Sequence, residues 1–119
     1  MKKMLPVFAL ASALLFVTPA HAAYDGVVAH ILAKPGQRDA LIEALRPLAR
    51  MEGLIDIVVA KDTENPDAVW LTEIWESKEL HDTATTGAVF KAALVRLHQV
   101  MLKIEQNYKT VPEFGNRLK

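Results

Sequence analysis

Residues 68–76 read AVWLTEIWE. β-Branched and aromatic residues dominate the run, so it reads as a strand. Side chains on a strand alternate between faces, which puts Val69, Leu71, Glu73 and Trp75 on one side and Trp70 and Ile74 on the other. Both sides are apolar. Just upstream, residues 54–61 (LIDIVVAK) have the same character, and the intervening Asp62-Thr63-Glu64-Asn65-Pro66-Asp67 consists of turn formers. The two runs predict an antiparallel hairpin with a long loop.

Working outward, residues 26–33 (GVVAHILA) form another strand, stopped by Lys34-Pro35-Gly36. From Gln37 to Met51, Leu41, Leu45 and Leu48 recur at helical spacing with Ile42 and Ala49 beside them. Asp39 and Glu43 near the start, and Arg46 and Arg50 near the end, suit the helix dipole. Pro47 lacks an N–H and crowds the carbonyl of Glu43, so the helix should kink or tighten there, and Gly53 should end it. Beyond the hairpin, residues 77–83 predict a short helical turn. Thr86 is placed to cap a second main helix, Gly87 to Met101, whose apolar stripe is Phe90, Ala93, Leu94, Leu97 and Met101. Ile104 to Val111 predict a last strand. The order β-α-β-β-α-β is that of an α+β, ferredoxin-like split motif.

Helices can cover one face of such a sheet, yet the first and third strands are apolar on both faces: Val27, Ala29 and Ile31 against Val28 and Leu32 in the first. With no third layer in the chain, the economical expectation is a homodimer packed sheet on sheet.

Composition narrows the function. The chain has 119 residues, with 14 Lys plus Arg balanced by 14 Asp plus Glu, no cysteine and 51% apolar residues. One domain fits that length. Zero net charge without a basic run argues against a nucleic-acid surface or polybasic membrane patch. Without cysteine there is no disulfide, thiolate nucleophile or Cys-ligated metal centre. Three scattered histidines after residue 22 lack metal-ligand spacing, so no metal site is expected.

The first 22 residues read as a targeting segment. Lys2 and Lys3 precede an uncharged run from Met4 to Val17, Thr18-Pro19 breaks it, and Ala20-His21-Ala22 supplies small residues at a cleavage site. The run falls short of the roughly 20 apolar residues that span a bilayer. The expectation is a bacterial signal peptide over 1–22, a mature domain over 23–119 that is periplasmic or secreted, and no membrane span after cleavage. Losing Lys2 and Lys3 leaves the mature chain with two more acids than bases.

From Val27 to Leu94 the chain resembles the antibiotic biosynthesis monooxygenase (ABM) domain family, including its quinol monooxygenase-like members. The matching pieces are the Lys34-Pro35-Gly36 turn, Glu52-Gly53, the Asp62…Asn65-Pro66 loop and the Glu73-x-Trp75-x-Ser77 signature, followed by Val89-Phe90. The resemblance implies a ferredoxin-like protomer, a dimeric α+β barrel, a pocket between sheet and helices, and oxidation of aromatic or quinol-like molecules by O₂ without metal or flavin. Thr83 and Ala88 stand where many members carry histidine. Leu94 stands near the axial histidine of heme-degrading relatives, with His98 one turn further on, so heme cleavage in their manner is not expected.

Oxygenation without a cofactor needs a base to make an electron-rich anion, donors to hold it and a dry cavity. The candidate catalytic residues are His30, His81 and Glu73, with Asp82 a further possible base. Of the two histidines, His30, mid-strand among apolar neighbours, is favoured as the base facing the pocket. His81 is expected on a solvated turn, unpaired with adjacent Asp82 because neighbours in a helical turn do not face each other. Glu73 needs a partner such as His30 or an arginine if buried. Trp75, Leu71, Phe90 and Leu94 are the candidate substrate-binding residues, and Trp70 is expected at the dimer interface. The leading expectation is a cofactor-independent monooxygenase for a small hydrophobic aromatic or quinol. The competing one is a non-catalytic periplasmic binding module for a small hydrophobic ligand.

Overall fold

Strand β1 (Asp25–Ala33) is the spine of the sheet: it pairs antiparallel with β3 (Ala68–Trp75) on one side and β4 (Met101–Thr110) on the other. β2 (Leu54–Lys61) adds outside β3, giving the all-antiparallel order β2-β3-β1-β4. The computed structural model describes residues 23–119. The expected signal peptide over 1–22 lies outside the described residues. Among those described, no helix is long and apolar enough to cross a membrane.

The chain leaves β1 through a turn in which Gly36 takes a positive φ of 76° and Gln37 N–H donates to the Lys34 carbonyl. Helix α1 (Arg38–Leu45) follows and buries Leu41, Ala44 and Leu45. Pro47 then has the effect its chemistry dictates: the helix tightens into a 3₁₀ segment, Arg46–Arg50, instead of running on to Met51 as an α-helix. Gly53, at φ 89°, turns the chain into β2.

Ser77 caps α2 (Lys78–Ala84) by accepting a bond from Leu80 N–H at 3.2 Å. The expected Thr86 cap of the next helix is not made. Thr86 Oγ1 donates to the Thr83 carbonyl instead, closing the turn behind α2, and α3 (Ala88–Val100) starts from Gly87 without a side-chain cap. β4 begins at once at Met101, three residues earlier than its hydrophobic pattern suggests, because its first residues pair with the end of β1 across two register shifts.

The architecture is the ferredoxin-like α+β arrangement, with α2 as an extra short helix. Its core lies between the helices and one face of the sheet. Val27, Ala29, Ile31 and Ala33 of β1 and Val69, Leu71 and Trp75 of β3 meet Leu41, Ala44, Leu45, Leu48, Ala93, Leu97 and Val100 there. The other face carries the opposite parity of β1 and β3. It holds exposed Val58 and Tyr108 beside half-buried Val28, Leu32, Trp70 and Ile74.

Candidate functional site

Period-2 alternation puts Glu73 and Trp75 on the core face of β3, and pairing register brings β1 residues opposite them: Val27 across from Glu73 and Asp25 across from Trp75. Helix α2 lays a fourth residue over this corner. The His81 imidazole stacks on the Trp75 indole, with ring centroids 4.6 Å apart and planes inclined by 11°. His81 Nδ1 lies 2.6 Å from Asp25 Oδ2, and Nε2 lies 3.9 Å from Glu73 Oε1. Trp75 Nε1–H donates to that same Glu73 oxygen at 2.9 Å. Asp25, Glu73, Trp75 and His81 thus form one polar cluster on the helix side, with Glu73 and Trp75 buried and Asp25 and His81 half-buried. Trp75 is fully buried, Glu73 is 7% exposed and the His81 side chain 12%.

The arrangement settles the hydrogen-bond roles. An ionised carboxylate can only accept, so Nδ1–H of His81 donates to Asp25 and the lone pair of a neutral ring lies on Nε2. A histidine oriented in this way by a third group has the geometry of a general base. Glu73 Oε1 stands on the far side, 3.9 Å from Nε2.

Three expectations change here. His81 is not on a solvated turn: α2 folds its imidazole inward onto Trp75. Its acidic partner is Asp25, 56 residues away, while Asp82 points outward to Lys78 at 2.7 Å. Glu73 is partnered by Trp75 and faced by His81, with neither His30 nor an arginine involved. His30 has even parity on β1 and projects to the other face of the sheet, away from Trp75. There it stacks on Trp70, directly across from it, with centroids 4.3 Å apart, and meets Asp62 Oδ2 through Nε2 at 2.8 Å.

Asp62 is heavily used. Its Oδ1 accepts from the N–H groups of Glu64 and Asn65, and its Oδ2 from Trp70 Nε1–H and on the His30 side. The two backbone donors, then the His30 and Trp70 bonds, hold its carboxyl at about 2, below the usual 3.8. Arg38 adds bonds to the carbonyls of Asp62, Asn65 and Ala68, fixing the same loop to the start of α1.

Of the candidate binding residues, Leu71 shares the core face with Trp75 and is buried, while Phe90 and Leu94 pack half-buried on the core from α3. Asp25 was missed. Its signal was available, since it is an acid with the parity of core residues Val27 and Ala29, but only the register with β3 shows that it faces Trp75. Between α2, α3 and the 3₁₀ segment lies a cleft of about 400 Å³, lined among others by Met51, Leu80, Thr83, Ala84 and Val89.

Residues 26–96 match the antibiotic biosynthesis monooxygenase family. Among solved structures, a protein of Chloroflexus aurantiacus J-10-fl provisionally named an antibiotic biosynthesis monooxygenase is 34% identical. The match covers 79% of this chain and 97% of that one, with a TM-score of 0.76. A Caulobacter crescentus CB15 protein with the same provisional name is 15% identical over 79% of this chain and 93% of its own, at a TM-score of 0.69. A conserved protein of Methanosarcina mazei Go1 is 21% identical over 78% and 96%, at 0.64. The last two share the fold. No curated protein matches the chain.

Proposed function

Because this chain belongs to the antibiotic biosynthesis monooxygenase family, we propose that it is a cofactor-independent monooxygenase that oxidises a small hydrophobic aromatic or quinol with O₂, using His81 as its base. The observation that carries this is the inward stack of His81 on the signature tryptophan, with Nδ1 held by Asp25 and Nε2 turned toward Glu73.

His81 Nε2 removes the hydroxyl proton of the quinol, and Asp25 and Glu73 stabilise the resulting imidazolium from either side. The phenolate then gives an electron to O₂, and the two radicals combine at a ring carbon. The resulting peroxide anion takes back the proton, and the hydroperoxide loses water as its O–O bond and the C–H bond of the same ring carbon break, so one oxygen atom enters the ring and the other leaves as water. For a hydroquinone the product is the hydroxyquinone, and the four electrons lost by the substrate balance the reduction of O₂. Trp75 and Leu71 contribute the apolar, water-poor wall that favours charge delocalised in the ring over localised anions. Asp25 is a positioning residue, since it acts through His81.

In the same proposal the protein is a homodimer through the outer sheet face, where Val58 and Tyr108 are exposed beside Trp70 and Ile74. A stable association through that face should bury more than about 1,200 Å² in total. Sedimentation showing a compact monomer at micromolar concentration would exclude it. The sequence signature of residues 1–22 supports a mature chain in the periplasm or outside the cell. Intact mass of protein exported by a bacterial host should then begin at Ala23.

Oxygen uptake with a panel of hydroquinones, anthrones and catechols, without added metal or flavin, tests the activity. Uptake lost in His81→Ala supports the reading. Binding seen as Trp quenching or thermal stabilisation, with no uptake, selects the binding module instead. That second reading is favoured by Thr83 and Ala88, which stand where histidines are common in the family.

A further inference from the structure

The cluster is closed. Trp75 is fully buried, and the 3.9 Å between His81 Nε2 and Glu73 Oε1 is too long for a hydrogen bond. It is also too short to admit an oxygen bonded to both, which needs roughly 4.5 Å or more at ordinary hydrogen-bond lengths. A substrate hydroxyl held by both groups is admitted only after the imidazole shifts, and a displacement of α2, which carries it, supplies that shift.

Helix α2 is built to move. It has seven residues, none of them buried outright. Its inward attachments are His81, through the Asp25 bond and the Trp75 stack, Ala84, which packs half-buried on the core, and Leu80, which lies against Gly53: a Cβ placed on Gly53 would sit 2.8 Å from Leu80 Cβ. Its Lys78–Asp82 ion pair is internal to the helix and does not tie it to the sheet. Segments with few buried contacts open locally at far lower free energy than the sheet they rest on.

The position of Leu80 gives the motion a direction. It lines the 400 Å³ cleft, and it touches Gly53, next to Leu54, which pairs with Trp75 across the sheet. Leu80 therefore stands between the cleft and the end of β3 that carries Trp75. The cleft is lined by apolar Met51, Ala84 and Val89 together with Arg50, Glu52 and Thr83, and its volume suits a molecule of one to three aromatic rings.

We propose that α2 is the lid of this site, latched by the Asp25–His81 hydrogen bond, and that Leu80 is the gate through which a small apolar molecule passes from the cleft to Trp75. The inference rests on the reading of the polar cluster as a substrate site. Its test is nevertheless independent of turnover.

Acrylamide, a small planar neutral molecule, serves as the probe of access. In a Trp70→Phe protein Trp75 is the reporting tryptophan, and it should be quenched weakly. Leu80→Ala and Asp25→Asn should each raise its quenching constant about threefold or more, while Val95→Ala, on the exposed side of α3, should leave it unchanged. Hydrogen exchange on the native full chain gives the second measurement. The amides of Leu80, His81 and Thr85 should exchange at least about 10²-fold faster than those of β1 and β3. Exchange of α2 as slow as that of the sheet, or Trp75 equally shielded in both variants, overturns the lid. If a variant loosens the whole fold, its β1 and β3 amides will show it, and the native exchange pattern decides alone. A lid that opens in a protein taking up no O₂ leaves the gate standing and removes the oxygenase reading. Uptake with α2 as rigid as the sheet does the reverse.

Discussion

The sheet carries the same three residue types twice, once on each face. On the helix side Asp25 is paired across the sheet with Trp75, and His81 arrives from α2 to stack on the indole and bond the acid. On the outer side His30 is paired across from Trp70, and Asp62 arrives from the β2–β3 loop to bond both. Composition does not distinguish the two clusters, but spare bonding capacity does. Asp62 is filled by two backbone N–H groups, an indole and an imidazole, and the loop it braces is further tied by Arg38. It is a structural clasp. Among the described residues Asp25 has His81 as its side-chain partner, and the far nitrogen of that ring is left facing Glu73 across an unbonded gap. A histidine with one nitrogen anchored and the other unspent can take a proton from a third molecule. His30 is anchored likewise through Nε2, but among the described residues no second acid lies within 4 Å of its ring nitrogens.

The largest difference should appear in stability. Trp75→Ala removes a fully buried indole and leaves Glu73 without its donor, so urea unfolding should show a loss of about 3–5 kcal/mol. Trp70→Ala, on the half-buried face, should cost about 1–2 kcal/mol. Equal losses would mean that the outer face is as much a core as the inner one, as a tight dimer would make it.

Turnover should separate the two histidines next. If the protein consumes O₂, His81→Ala should lower turnover by about 10² or more, and His30→Ala by less than about tenfold. The opposite order would move the chemistry to the outer face and break the comparison. Asp25→Asn keeps the shape of the orienting group but not its charge. It should cost about tenfold in kcat with little change in KM, and alter the pH profile, which a merely structural role would leave in place.

Acid should undo the clasp through Asp62. Its carboxyl is held below the ordinary value, so its contribution is complete above about pH 4 and is lost as pH falls toward about 2. Melting curves between pH 5 and pH 2 should therefore fall more steeply for the native protein than for Asp62→Asn. Parallel curves would show that the bonds to Asp62 do not stabilise the loop. The smallest effect belongs to Lys78 and Asp82 on the outer side of α2. Their hydrogen bond pulls the Asp82 carboxyl down and the Lys78 ammonium up, but both side chains are mostly in solvent. Asp82→Asn should leave melting in 0.5 M salt, taken as roughly full screening, unchanged. A clear drop there would mean that the pair holds the lid.

Much of the site was legible because alternation along a strand is a rigid rule. Glu73, Trp75 and Leu71 had to share a face whatever the rest of the chain did, and Ser77 two residues past Trp75 had to begin a new element. His30 was misjudged for a related reason. With both parities of β1 apolar, alternation separates His30 from Val27 and Ala29 but does not say which set meets the helices. His81 was misjudged because a seven-residue amphipathic turn carries no periodic signal long enough to show which side is inward.

The sequence by itself therefore determined the elements, their order, the stop at Pro47 and Gly53, and the partition of each strand into two faces. All of these follow from dihedral limits and side-chain periods within a few residues. The tertiary structure alone decided that Asp25 lies across from Trp75 and that α2 turns His81 inward over both. It also decided that Asp62 closes on Trp70 and His30 from the far side. Those contacts join positions 6 to 56 residues apart. They depend on strand register and helix docking, which are set by burial of the whole core and not by any local run of residues.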